Sequence, residues 1–167
     1  MIGDRAITSG SVVALSAWLG AALLVAAVVA PAAFAVLPTR ALAGALVGRV
    51  LPVLFYSGAV VGIVVALVGR ATSPSRVIAG VLMVASCLAA QLVVARRIER
   101  VRSDAGRPID ELAVGDPRRT SFGRLHGASV LLLGVAAIAG SAALVLTLRM
   151  TPLAAAARDL SNSSLEH

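Results

Sequence analysis

An all-α fold, four membrane-crossing helices packed as an antiparallel bundle, is predicted by three features of this sequence. The chain holds four apolar runs of 19 to 26 residues, none containing a charged side chain. About 20 such residues cross a ~30 Å hydrocarbon core. Of the 167 residues, 59% are apolar and 14% charged, and the mean hydropathy is +0.94, outside the range of a water-soluble domain. All fifteen basic residues are arginine, and they lie between the apolar runs, which is the membrane pattern. The net charge of +7 does not point to nucleic acid, because the arginines do not line an amphipathic face with interleaved aromatics. The length allows one domain, residues 1–164. Leu165-Glu166-His167 reads as the start of a purification tag. The one cysteine excludes an internal disulfide.

The first span covers residues 12–37. Ala33-Phe34-Ala35 resembles a signal-peptide cleavage site, but the run is too long and its flank carries no net side-chain charge, so it reads as a retained helix. Pro31 removes one backbone donor and crowds the carbonyl of Ala27, which predicts a kink. Thr39 can cap the next helix. Residues 40–50 read as an amphipathic approach to the second span, residues 51–69, with Pro52 near its start. Gly58-x-x-x-Gly62 gives that span a smooth stripe for close helix contact.

Residues 70–76 form a polar turn that makes spans two and three antiparallel neighbours. The third span, residues 77–95, carries Met83, Cys87 and Gln91 at four-residue spacing, hence on one side of the helix. It is expected to continue through Arg96–Arg102. Residues 103–121 are polar and too poor in apolar side chains to bury a core, so the connector of residues 96–127 is not a second domain. Residues 128–148 are the fourth span, and the tail after Arg149 is mixed.

Four spans place both termini on one side. The termini and the second connector hold five arginines, and the first and third connectors hold ten. The positive-inside rule therefore puts those two connectors in the cytoplasm and both termini outside, in a bacterial cytoplasmic membrane. This gathers the rare side chains at one level: Phe34, Phe55, Tyr56, Gln91, His126 and Ser129. An aromatic interfacial belt with helix-capping polar groups accounts for them without a ligand. The competing reading is a pocket at the cytoplasmic end, walled by the Pro31 and Pro52 bends and floored by Gln91. There the His126 imidazole is expected to face the bundle, within reach of Tyr56 or Gln91.

Ala30-Pro31-x-x-Phe34-Ala35, Gly48-Arg49-x-x-Pro52 and Arg124-Leu-His126-Gly-x-Ser129 together resemble motifs of the four-helix membrane-protein family that includes human transmembrane protein 205 and bacterial relatives. The resemblance runs over residues 12–148. Where that family has an asparagine one turn after the serine, this chain has Leu133, which tells against a polar relay deeper in the fourth span. The family is distantly similar to copper-resistance and haem-associated four-helix proteins, and the resemblance thereby implies metal or porphyrin handling.

The chemistry narrows the function classes. No span contains Asp, Glu, Lys or Arg, so a carboxylate proton relay has no residues. His126 has no carboxylate near it in sequence to build a hydrolytic triad. One native histidine cannot form a bis-histidine haem site. Copper has soft candidate ligands in Met83 and Cys87 with His126, though paired sulfur side chains on an apolar helix also serve packing. An enzyme is the least supported class. Two readings remain: a protein binding or passing a small ligand, metal or cofactor at the cytoplasmic end, and a non-catalytic membrane subunit that associates with itself or another protein.

Overall fold

The computed structural model describes residues 2–70 and 73–149, residues 2–7 by backbone alone, and no strand occurs among them. Helix α1 (Ile2–Leu24) runs through a π-helical segment, Val25–Val29, into α2 (Ala30–Val36). Helix α3 is Arg40–Gly69. Helix α4 (Pro74–Leu88) passes through a second π-helical segment, Ala89–Ala95, into α5 (Arg96–Ala105). A single 3₁₀ turn, Ile109–Glu111, precedes α6 (Pro117–Arg149). These make four rods long and apolar enough to cross a membrane: Thr8–Val36, Arg40–Gly69, Pro74–Ala105 and Pro117–Arg149.

The rods are longer than the apolar runs that announce them. Helix α3 absorbs the expected approach of residues 40–50 and keeps Pro52 in its interior. The proline leaves the Gly48 carbonyl without its helical donor, and the helix continues past that loss. Thr39 caps it as expected, its Oγ1 accepting from the Leu42 N–H at 3.2 Å. Helix α6 starts eleven residues before the fourth apolar run, at Pro117. Asp116 explains the early start: its carboxylate accepts the Arg118 N–H at 2.8 Å, and proline at the first helical position costs nothing. At ~1.5 Å per residue, a 30-residue helix measures about 45 Å, roughly 15 Å more than the hydrocarbon needs.

Ahead of Pro31 the first rod widens instead of breaking, with the Ala30 N–H bonding the Val25 carbonyl five residues back. Gly106 ends α5 in the left-handed conformation at φ 64°, which a glycine adopts without strain.

The core forms where small residues let backbones touch. A Cβ placed on Gly80 would stand 2.6 Å from the Gly62 carbonyl oxygen, and one on Gly62 would stand 2.9 Å from that of Gly80. Helices α3 and α4 are thus in backbone contact, and no side chain fits between them there. Trp18 of α1 lies over Gly58, 2.6 Å from where a Cβ would be. Its buried Nε1–H donates to the Leu54 carbonyl at 2.9 Å. The Gly58/Gly62 stripe therefore faces other helices, as its spacing predicts. Leu15, Met83, Cys87, Ala136 and Ala143 complete the buried centre.

Outward, Val13, Leu23, Val53, Val60, Leu131 and Ile138 are exposed, an apolar surface suited to lipid. Arg76, expected on a polar turn, is buried at the start of α4, where Gly69 leaves room for its Cβ. The mixed tail and the tag-like end lie outside the described residues.

Candidate functional site

At the opposite end of α3 from the Gly62–Gly80 contact, the helices part around an open cavity of about 920 Å³. That is within the size range of small-molecule sites. Helices α2 and α3, the second π-helical segment, α5, the connector and the start of α6 all contribute to it. The wall contributed by α2 and α3 is largely apolar: Phe34 from α2, and Leu51, Pro52, Phe55 and Tyr56 from α3. Gln91 joins them from within the Ala89–Ala95 segment. A π-helical turn inserts a residue and resets the face beyond it, which is why such turns recur at functional sites.

Met83 and Cys87, two turns and one turn before Gln91, are fully buried in the core and do not line the cavity. The stripe of three thus leads out of the packed centre into open space. His126, on the cavity wall, is not gathered with those two sulfur side chains. Among the described residues no group of three or more His, Cys, Asp or Glu side chains is placed to hold a metal.

The mouth is built from the helical overruns. It holds Arg40, Arg96, Arg102, Arg107 and Arg119 against Glu99 and Asp110, five positive side chains to two negative. The Arg102 guanidinium lies over the Phe122 ring, 5.4 Å from its centroid. On the α3 side it comes within 3.4 Å of where a Gly44 Cβ would be. Phe122 in turn stacks on His126, with centroids 6.3 Å apart and planes 8° from parallel. A guanidinium, a phenyl ring and an imidazole thus form one run along the cavity, on α5 and α6.

His126 was expected to reach Tyr56 or Gln91, and it lines the same cavity as both. Its ring contact is Phe122, however, and no hydrogen bond joins it to either residue among those described. The reason is the opening itself: helices held apart by a cavity leave more than bonding distance between facing walls. Ser129 also lines the cavity. Arg124 does not. Two residues before His126, it points some 200° away around the helix and borders a shallower cleft with Arg97 and Arg100.

The connector is pinned so that it frames the mouth. Asp116 Oδ2 pairs with Arg118 Nη2 at 2.8 Å, Arg118 Nη1 donates to the Asp104 carbonyl at 3.2 Å, and Arg119 Nη1 donates to the Leu112 carbonyl at 2.9 Å. The Arg118 side-chain and backbone hydrogen bonds push the Asp116 carboxyl down to about 2. Leu112 is buried beneath.

Sequence reasoning did not single out Arg102, Arg119 or the Gly44/Gly48 flank. The available signal was Gly44-x-x-x-Gly48, the same spacing as Gly58-x-x-x-Gly62 but outside the uncharged run.

A family model for a domain of unknown function (DUF4149) matches residues 13–107. The matched segment carries the cavity walls from Phe34 through Arg102, and it ends before Phe122, His126 and Ser129. No curated protein and no solved structure matches the chain. The match spans more than half of the sequence, and the chain belongs to this DUF4149 family.

Proposed function

We propose that this protein binds or passes a small ligand in the cavity at the arginine-rich end of its bundle, and that this end faces the cytoplasm of a bacterial cell. The observation carrying the reading is convergence. Phe34, Tyr56, Gln91, His126 and Ser129, chosen for their rarity and depth in sequence, lie on all four rods and line one cavity. The positive-inside rule supports the orientation. The resemblance to the transmembrane protein 205 group and its copper- and haem-associated relatives favours a metal or porphyrin as ligand. The scatter of Met83, Cys87 and His126 favours instead a molecule held by shape and charge. The alternative of a non-catalytic subunit draws less support, because the glycine stripe it would use for association is consumed between α1, α3 and α4.

The test is to fill the cavity. Ala45 lines it and is exposed, so Ala45→Trp occupies the space without disturbing the core. Native mass spectrometry, metal analysis and an absorption spectrum of the detergent-purified protein are expected to show a retained small molecule that the variant loses. An identical complement in both proteins refutes the cavity as the site. For orientation, single cysteines on a Cys87→Ala background are expected to react with an external, impermeant reagent at Ser75, exposed beside Ser73, and not at Gly106. The opposite sidedness overturns the topology.

A further inference from the structure

We infer that the ligand is an amphiphile with one anionic head group, a phosphate or carboxylate, whose oxygens are taken by Arg102 while its apolar body lies along the α2–α3 wall. This rests on the cavity reading above and names the chemistry of its occupant. Three observations carry it.

The first is polarity along the cavity. Leu51, Pro52 and the Tyr56 ring offer largely apolar surface on the span side, and the arginines gather where the helices overrun the hydrocarbon. A molecule lying along that axis meets hydrocarbon-like walls at one end and cations at the other. The second is charge. Five arginines against two carboxylates on the lining leave a surplus of three positive side chains, which selects an anion and disfavours a cation or a metal ion.

The third is the setting of Arg102. Its guanidinium is located by the Phe122 face and by the glycine flank of α3. Among the described residues no carboxylate pairs with it and no carbonyl takes its N–H groups. Arg118 and Arg119 are different: they are bonded to Asp116, Asp104 and Leu112. A planar fork held by a ring and a bare backbone keeps its donors for an incoming oxyanion, which it can grip with two bonds. Stacking on Phe122 also fixes its direction at little entropic cost.

The experiment uses the full chain in nanodiscs of phosphatidylcholine, with hexadecyl phosphate and hexadecanol as ligands of equal chain length. The wild type is expected to bind the phosphate roughly tenfold or more tighter than the alcohol, as expected for a charge-assisted pair. Arg102→Gln is expected to reduce that preference to within about threefold. Inorganic phosphate at the same concentration is expected not to compete, because it lacks the apolar body.

Equal binding of phosphate and alcohol by the wild type, which needs no variant to read, overturns the inference. So does competition by inorganic phosphate, which would mark a free-phosphate site. If Ala45→Trp abolishes binding of both ligands while Arg102→Gln leaves their ratio intact, the cavity stands and the anionic head group falls. If Ala45→Trp changes neither, the cavity reading itself falls. Replacing part of the phosphatidylcholine with phosphatidylglycerol separates the two sources: displacement of hexadecyl phosphate identifies a leaflet lipid, and its retention identifies a free single-chain amphiphile.

Discussion

The two halves of α3 carry similar glycine spacings and do opposite things. Gly58 and Gly62 lie under the Trp18 indole and against the α4 backbone, with no room for a methyl group. Gly44 and Gly48, ten residues or more toward the arginine end, face a cavity and one guanidinium. Pro52 stands between the halves. The difference lies in what sits opposite: a second glycine lets two helices close, whereas a long cationic side chain holds them apart. Small-residue spacing on a membrane helix therefore marks close approach, and the facing residue decides whether a backbone or a side chain does the approaching.

The largest test of that contrast is Gly80→Leu. Its Cβ would meet the Gly62 oxygen and the Ala66 backbone nitrogen at 2.6 and 2.7 Å, so the helices must separate. A loss of about 3 kcal/mol or more is expected, read as a large fall in detergent melting temperature. Trp18→Phe comes next. It keeps most of the ring but removes the donor to the Leu54 carbonyl, with an expected cost of roughly 1–2 kcal/mol. Gly44→Leu, the counterpart of Gly80→Leu in the open half, should shift stability by less than ~0.5 kcal/mol. It should nevertheless displace Arg102 and weaken binding of an anionic amphiphile. A melting temperature as low as that of Gly80→Leu would erase the distinction between the halves.

The smallest effect concerns acid. The Asp116 carboxyl is held at about 2 in the folded chain, below its unfolded value of about 3.9. Its contribution to the α6 start is therefore full above pH ~4 and is lost as the pH falls toward 2. Protection of the Arg118–Ser121 amides, measured as exchange relative to the intrinsic rate at each pH, should fall over that window in the wild type and stay flat in Asp116→Asn.

The architecture was readable because uncharged runs of 19 to 26 residues have no stable home but the bilayer. The Thr39 cap and the Gly58/Gly62 contact were readable because local chemistry specifies each. Helix ends were not. Residues 40–50 and 117–127 carry arginines, which stop a hydropathy window but not a helix. Gln91, His126 and Ser129 could be named from rarity, whereas Arg102 could not. It is one of fifteen arginines, and only the approach of α6 and of the Gly44 flank distinguishes it. Arg124 entered through the Arg124-Leu-His126-Gly-x-Ser129 motif, and on the helix it borders the cleft of Arg97 and Arg100, not the His126 cavity.

The chain contains a single tryptophan, Trp18 of α1, and it is locked against Gly58 and the Leu54 carbonyl; Leu54 is one position in sequence from the Phe55 that lines the cavity. The native protein therefore carries a built-in optical reporter at the junction between its closed and open halves. Its emission should be blue-shifted in the intact bundle. A change in emission on adding an amphiphile, without unfolding, would report movement of the α3 wall directly, with no label attached.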